Sequence, residues 1–471
     1  MYKLLIIRKY LRRKLAPLFA AVAVILCTAM VIIVISVMGG FLNLMRDGAK
    51  RLTGDIMIFA DANGFPHYDQ LIDELVALDE VETATPVIFT SGMVKFRDTS
   101  GEPVRVVREI FGIVPKGLDN VTVYAETLYW THEQARQIAD GDPQALAMNF
   151  QPFPGAAQEN PELRGAVLGI EVFPYSQRDD EGHYSIFNSA LNRSVAVTVL
   201  PLTAEGVLLD PVMEQFNVVN EFKSGLYEVD GDRVYLPFAA LQRMLKMDAH
   251  SEFDMESGEL TGGTIPGRTS GVVLRVADGA DLDQAHDTVK KTCNEFRKDD
   301  PKQPVLWSET WEERHASLLN AVQNEKGLIT FLFVIISVVA VVMIATIFYM
   351  IVLEKTRDIG VLRAIGASRV GIANIFLGYG LIIGTIGALA GMGLGVGIVY
   401  NLNEIQDVLD AWFGWRMWNP QTYYFDKIPE DVNYHEAVLI AAGGVVAGVL
   451  GALIPAWIAS RLDPIVALRY E

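Results

Sequence analysis

The sequence predicts a membrane α-helical protein of four spans, with a large α+β extracytoplasmic domain inserted between the first and second. Two observations carry that prediction. Apolar residues are gathered into four uncharged runs, and the basic residues are gathered at one side of those runs.

Of the 471 residues, 51% are hydrophobic, and the mean hydropathy is +0.26. A soluble chain of this length would carry more charge. The four uncharged runs are Leu18 to Met38, Gly327 to Leu353, Val370 to Asn403 and Ala437 to Ser460. Each meets the requirement of about 20 residues for crossing roughly 30 Å of hydrocarbon as a helix. The first run has a basic lead (Lys3, Arg8, Lys9, Arg12, Arg13, Lys14), which also suits a cleaved signal peptide. Its length exceeds a signal h-region of about 7–15 residues, so it reads as an uncleaved anchor.

Charge sets the orientation. The N-terminal segment, the 354–369 loop and the C-terminal tail together hold twelve Lys/Arg against four acids. The remainder holds 27 bases against 53 acids, within a net charge of −18 for the whole chain. Basic loops stay in the cytoplasm. The expected order is a cytoplasmic segment 1–16, span 17–40, outer domain 41–325 and span 326–353. There follow a cytoplasmic loop 354–369, span 370–403, outer loop 404–436, span 437–460 and a cytoplasmic tail 461–471. The acidic balance belongs to the outer domain and implies no nucleic-acid partner. Cys27 and Cys293 fall in different environments and should not pair, so the outer domain must hold together by its core.

That domain interleaves strand and helix patterns. Strand-like runs are Asp55–Ala60, Pro86–Phe96, Val104–Val114, Val195–Leu200, Gln215–Val219 and Gly271–Val276. Helical patterns cover Tyr68–Leu78, Thr131–Ala139, Pro237–Lys246 and Asp281–Phe296. Asp119–Asn188 reads as a loop-rich insertion, and Ser251–Arg268, with its glycines, as a mobile loop or linker. Thr310-Trp-Glu-Glu313 has the capping-box pattern. The helix it opens either runs unbroken into the second span, some 60 Å at about 1.5 Å per residue, or breaks at Gly327.

No phosphate loop, no H-E-x-x-H pair and no ionisable residue inside a span is present. This excludes ATP hydrolysis by a P-loop within the chain and argues against an ion-coupled transporter. His132-Glu133 reads as surface. The glycines Gly380, Gly384, Gly387, Gly391 and Gly395, with Gly444 and Gly448, form small-xxx-small pairs, as do Gly393 and Gly397. Such pairs allow close helix approach in lipid, within one chain or between two.

Glu354–Ser368 reads as a short amphipathic helix. Ile359, Leu362 and Ile365 recur at three-residue spacing, with Arg357, Asp358 and Arg363 on other faces. Gly366 closes it and Ser368 caps the next helix. Two readings stand on physical grounds: docking into a groove of a cytoplasmic partner, or lying at the lipid interface with its basic side to headgroups.

The segment E-K-T-R-D-I-G-V-L-R-A-I-G-A-S at 354–368 resembles the coupling segment of the FtsX/MacB superfamily of ABC permeases, and I-P-A-W-I-A-S-R-L-D-P-I-V-A-L-R-Y-E resembles its C-terminus. V-I-S-V-M-G-G-F at 34–41, F-K-S-G-L-Y-E-V-D at 222–230 with V-Y-L-P after it, and T-W-E-E-R at 310–314 are similar to lipoprotein-releasing (Lol-type) permeases. The resemblance implies a MacB-type periplasmic core domain and an inner-membrane location, with both termini cytoplasmic. It also implies a separate cytoplasmic ATPase dimer, holding ATP and Mg that this chain does not bind. That dimer would dock on the coupling helices of two permease chains, as a homodimer or heterodimer. Glu354, Lys355, Arg357, Asp358, Ile359, Leu362 and Arg363 would form the contact. Outside, the domain would act on a lipoprotein and a periplasmic lipoprotein carrier. The carrier hook would be Leu202–Glu214, centred on Leu208, Leu209, Asp210, Pro211 and Val212, a stretch that reads equally as an ordinary hairpin loop. Two alternatives remain: an FtsX-like transducer that activates a periplasmic partner, and a MacB-like exporter of peptides or small molecules.

Overall fold

The computed structural model describes residues 16–97, 102–130, 164–179, 182–203, 206–253, 260–299, 303–414, 418 and 427–463. In chain order the helices are α1 (Ala16–Thr53), α2 (Tyr68–Val76), α3 (Pro115–Val121), α4 (Tyr124–Thr127), α5 (Tyr227–Asp230), α6 (Phe238–Met244), α7 (Leu282–Asp299), α8 (Trp311–Arg314), α9 (Ala316–Glu354), α10 (Thr356–Ala364), α11 (Arg369–Tyr400), α12 (Leu402–Phe413) and α13 (Tyr434–Arg461). The strands are β1 (Ile56–Phe59), β2 (Phe65–Pro66), β3 (Val81–Arg97), β4 (Pro103–Ile113), β5 (Arg164–Gly169), β6 (Ser194–Val199), β7 (Val212–Phe222), β8 (Arg233–Pro237), β9 (His250–Phe253), β10 (Leu260–Ile265), β11 (Arg268–Thr269), β12 (Gly271–Val276) and β13 (Trp307–Thr310). The chain divides into two compact units. One is helical (residues 1–43, 320–418 and 427–471) and one is strand-rich (44–319 and 419–426), with α1 and α9 contributing residues to both.

Among the described residues, four helices are long and apolar enough to cross a membrane: Leu18–Thr53, Leu319–Glu354, Arg369–Tyr400 and Tyr434–Arg461. Their core (Ala20, Val24, Ile344, Phe348, Tyr379, Ile383, Ala452) joins residues of all four. Most large side chains of α9 point outward, among them Phe331, Val338, Val342 and Met350. A helix apolar all round fits a solvent as apolar as its own core.

In the strand-rich unit the principal sheet orders as β13-β1-β12-β3-β4-β8-β5-β7-β6. It closes on itself, because β6 also pairs with the far half of β3, Gly92 to Val199 through Lys95 to Ala196. The near half of β3 pairs instead with β12, Val81–Val87 against Gly271–Val276. Six strands therefore form a ring, and four form an open wing that shares β3. Side chains alternate across a strand, and this sorts the cores. Ile88, Val94, Phe96, Ile110, Val195, Val197, Val199, Phe216, Val218 and Val234 cluster together. Their odd-face neighbours Phe111, Ile113, Val167, Val219 and Tyr235 pack with Leu52, Trp311 and Leu319 in a second cluster. The wing packs β1 and β12 against α2 and α7 through Ile56, Ile58, Leu71, Leu75, Leu274, Val289 and Cys293. Cys27 and Cys293 are both free thiols, and burial pushes the Cys293 thiol up to about 12.

Several expectations are corrected. Asp119–Asn188 is not loop alone, because it supplies β5, which sits between β8 and β7 inside the ring. Its Thr131–Ala139 pattern and His132-Glu133 lie outside the described residues. Ser251–Arg268 holds most of a two-stranded hairpin, β9 with β10. The capping box forms as its spacing requires: Thr310 Oγ1 accepts from the Glu313 amide at 3.1 Å, and Glu313 Oε2 accepts from the Thr310 amide at 3.0 Å. It opens only the single turn α8. The break falls at His315, and α9 passes through Gly327 without interruption.

Candidate functional site: the short helix, the glycine seam and the hairpin loop

The short helix α10 follows α9 after one residue. Thr356 turns its hydroxyl back onto the carbonyls of Val352 and Leu353, and Lys355 pairs with Asp358 at 3.1 Å. Gly366 supplies the left-handed turn (φ 102°) that Cβ-bearing residues disfavour, and Ser368 Oγ then caps α11 by accepting from the Gly371 amide.

The residues assigned to partner contact from the sequence do not share one surface. Ile359 is buried, packed with Val352, Ile372, Phe376, Ala456 and Ala459 at the ends of α9, α11 and α13. It therefore does not belong to an outward apolar ridge. Leu362 is half-buried, Glu354, Arg357 and Asp358 are exposed, and the outward apolar residues are Val361 and Ile365. Arg363 turns inward. Its Nη1 donates to the Ser460 carbonyl at 3.2 Å and to the Leu462 carbonyl at 2.6 Å. A helix C-terminus leaves such carbonyls without intrahelical partners and carries partial negative charge. Arg363 thus caps α13 and ties α10 to it, a role that the local sequence did not signal.

The glycines map to distinct seams within one chain. A Cβ on Gly380 would lie 2.5 Å from the Ala452 Cβ, and one on Gly448 would lie 2.7 Å from the Gly384 Cα, so these residues join α11 to α13. Gly387, Gly391 and Gly395 face α1, where an added Cβ would meet Val24, Ile25 and Ala29 atoms at 2.7–3.0 Å. A Cβ on Gly444 would lie 2.8 Å from Thr28 Oγ1 of α1 and 3.3 Å from the Ala388 Cβ of α11. Gly393 and Gly397 have open space around them.

Residues 200–211 connect β6 to β7 beyond the Val199–Val212 pair. An isolated bridge, Leu202 to Leu208, closes the loop, and the Thr203 amide donates to the Val207 carbonyl at 2.9 Å. Val207 and Leu208 are about 60% exposed, as is Met213 at the root of β7, so the returning arm of the loop presents apolar side chains. Leu209 is half-buried, Asp210 and Pro211 are exposed, and Val212 begins the strand.

A polar cluster that sequence reading missed lies at the far end of β7. Glu221 is fully buried. It accepts from Trp130 Nε1–H at 2.5 Å and from the Ala190 amide at 3.0 Å. Burial pushes its carboxyl up to about 7, against the opposing pull of those donors and of Arg193. Nearby, the Tyr184 hydroxyl hydrogen-bonds Glu171 and accepts from Arg178 Nε. The Trp130–Glu221 contact fastens the 119–188 stretch to β7, and the Tyr184 contacts with Glu171 and Arg178 tie parts of that stretch to one another. The available signal was a carboxylate inside the strand-like stretch Phe216–Phe222, beside Val218, Val219 and Phe222. Among the described residues no group of three or more His, Cys, Asp or Glu could hold a metal ion.

Comparison with known families follows this division of the chain. The family described as FtsX-like permease C-terminal matches residues 330–464. The MacB-like periplasmic core domain matches residues 18–292, more than half of the chain. The chain belongs to the FtsX/MacB permease family. In this permease the first match contains α10, α11 and α13, and the second contains α1, the ring and most of the wing. A relative from Xylella fastidiosa (strain 9a5c), the lipoprotein-releasing system transmembrane protein LolC, is 27% identical over 261 residues, 55% of this chain and 56% of that one. LolC from Neisseria meningitidis serogroup B is 28% identical over 286 residues, 60% of this chain and 63% of that one. The macrolide export ATP-binding/permease protein MacB from Hyphomonas neptunium is 32% identical over 118 residues, 25% of this chain and 15% of that one. The match thus spans a little over half the length of these LolC relatives. The periplasmic region of MacB from Actinobacillus actinomycetemcomitans aligns over 59% of this chain and 98% of that one, at 11% identity. Its TM-score of 0.28 is too low for a fold to be inferred from it.

Proposed function

We propose that the chain is the non-catalytic permease subunit of an ABC-type lipoprotein-releasing system in an inner membrane. It crosses the bilayer four times, with both termini cytoplasmic and the strand-rich unit in the periplasm. A separate cytoplasmic ATPase dimer binds and hydrolyses ATP with Mg and docks on α10 of two permease chains. The motion it produces is passed through the long helices α1 and α9 to the strand-rich unit. There the 200–214 loop engages a periplasmic carrier while the lipoprotein is released.

The observation that carries this reading is the construction of α10. It is anchored at the ends of three apolar helices, α9, α11 and α13, through Ile359, and tied a second time to α13 through Arg363. A force applied to its outer face, Arg357, Val361 and Ile365, is delivered to all three helices it touches. Similarity to LolC proteins supports lipoprotein release as the task. A MacB-like exporter of peptides or small molecules is the second reading, favoured by the 32% identity to a macrolide exporter. The exposed apolar side chains of Val207 and Leu208 favour a protein partner with an apolar groove.

Depletion of the chain in its own cell tests the task. Accumulation of unreleased lipoproteins in the inner membrane is expected; normal lipoprotein localisation with loss of a small-molecule efflux phenotype would replace this reading with the second. Docking is tested separately. Ile365→Glu, on the outward face, is expected to abolish co-purification of the ATPase without lowering the yield of folded permease.

A further inference from the structure

We infer that α12, the twelve-residue helix Leu402–Phe413, is an interfacial anchor whose apolar face lies in the outer leaflet of the bilayer. The inference rests on the reading that α11 and α13 span the membrane.

The helix begins two residues after Tyr400, the last residue of α11. The Tyr400 and Tyr434 hydroxyls lie 2.8 Å apart, so the end of α11 and the start of α13 are at one level. Tyrosines with an apolar body and a polar tip suit the membrane–water boundary. The first turn of α12 is held close to that level. Asn403 Nδ2 donates to the Ile428 carbonyl at 3.1 Å, and the Ile428 amide donates back to Asn403 Oδ1 at 3.0 Å, six residues before α13 begins.

The helix is amphipathic. Ile405, Val408, Trp412 and Phe413 are exposed on one side, Trp412 at 78% and Phe413 at 72%. Glu404, Asp407 and Asp410 repeat at three-residue spacing on the other. Between the two faces, Gln406 is buried and accepts from the Trp418 amide at 2.8 Å. In water, two adjacent exposed aromatics beside a valine and an isoleucine would be an uncovered apolar patch. At the boundary of a bilayer the same face is solvated by acyl chains, and the acids point to water. The helix carries no basic residue, so apolar burial drives the contact, without attraction to anionic headgroups.

The test uses the full chain with Cys27→Ala and Cys293→Ala, labelled with an environment-sensitive fluorophore at Val408→Cys, Trp412→Cys, Asp407→Cys or Leu389→Cys. Each variant is placed in phosphatidylcholine nanodiscs carrying a spin-label quencher at a shallow or a deep acyl position. Labels at 408 and 412 are expected to be quenched by the shallow lipid label several-fold more than the label at 407. The 407 label is expected to be quenched by aqueous iodide instead. Adding phosphatidylglycerol should leave the pattern unchanged. Iodide reaching 408 and 412 as readily as 407 overturns the proposal, as does shielding of both from lipid and water, which means that protein covers them. The Leu389 label, midway along α11 and exposed, separates the two levels. If the deep lipid label fails to quench it, the spanning reading itself is wrong. If the deep label quenches it while 408 and 412 stay dark to lipid, only the anchor is.

Discussion

Gly448 in the helical unit and Glu221 in the strand-rich unit are both buried at a contact, and they solve opposite problems. Around Gly448 nothing polar is needed beyond the backbone. Its role is to lack a side chain, so that α13 approaches α11 until no room is left for a Cβ against Gly384 and the Gly380 carbonyl. Lipid offers no hydrophobic drive for helices to associate, so close backbone contact supplies the cohesion. Around Glu221 a charge-bearing group is taken out of water, where hydrophobic burial is available to offset its desolvation. Two donors hold it, and its proton affinity rises. One unit is assembled by removing atoms, the other by burying a satisfied polar group.

Overfilling the seam breaks this contrast most severely. Gly448→Val places a branched side chain against backbone that cannot move aside, and a loss of about 3 kcal/mol or more is expected. Gly393→Val, in open space on α11, is the matched control and should be nearly neutral. Thermal unfolding of the two variants in detergent, with the recovery of monodisperse protein, measures the difference.

A somewhat smaller effect is expected at Glu221, and it is pH-dependent. Its folded pKa stands above the ordinary carboxylate value of 4.5, at about 7. The folded state therefore holds the proton more tightly. The stabilising contribution is complete below about pH 4.5 and is lost as pH rises to about 7, on the order of 3 kcal/mol. Stability curves between those pH values should slope downward in the native chain and flatten in Glu221→Gln. The protection factor of the Ala190 amide, exchange corrected for its intrinsic pH dependence, should fall as global stability falls with rising pH in the native chain and change less in Glu221→Gln. An unchanged slope in the variant would assign the titration to another group.

Arg363 sharpens the comparison, since here the helical unit does use a charge. Arg363→Gln removes the cap from Ser460 and Leu462. A loss of about 1 kcal/mol is expected, because the guanidinium is only partly buried. Its larger consequence should be functional. On the proposed function, ATPase association should persist while ATP hydrolysis should no longer drive release; loss of association instead would place Arg363 at the docking surface. Arg363→Lys should restore little, since a point charge does not reproduce a planar donor fork on two carbonyls.

Thr310→Ala is expected to be mildest, about 1 kcal/mol or less through the lost cap on α8. Faster amide exchange confined to Glu313 and its neighbours would identify it.

Features that depend on neighbouring residues were legible beforehand. The capping box at Thr310 and Glu313, the Gly366 turn and the Ser368 cap each involve groups within four residues of one another. Strands with strong β-branched or aromatic runs, such as β3, β4 and β12, were likewise visible. Arg164–Gly169 was not, because a short strand with two glycines inside a Pro- and Gly-rich stretch carries little pattern of its own. Its place in the ring comes from β7 and β8 on either side. The direction of Ile359 was similarly ambiguous. Spacing groups it with Leu362 and Ile365, but only the ends of α9, α11 and α13 determine which residue turns in.

The sequence by itself determined where apolar helices of membrane-crossing length must form, which ends carry basic charge and where glycines permit close approach. Those properties follow from composition along a continuous stretch of chain. Tertiary structure alone decided that Gly380 and Gly384 meet Gly448 while Gly387, Gly391 and Gly395 meet α1. It also decided that Arg363 serves α13 and that Glu221 gains a proton affinity near neutral pH. Each of these depends on atoms brought together from distant positions, and the free energy of such a contact is set by the distance and burial that folding creates.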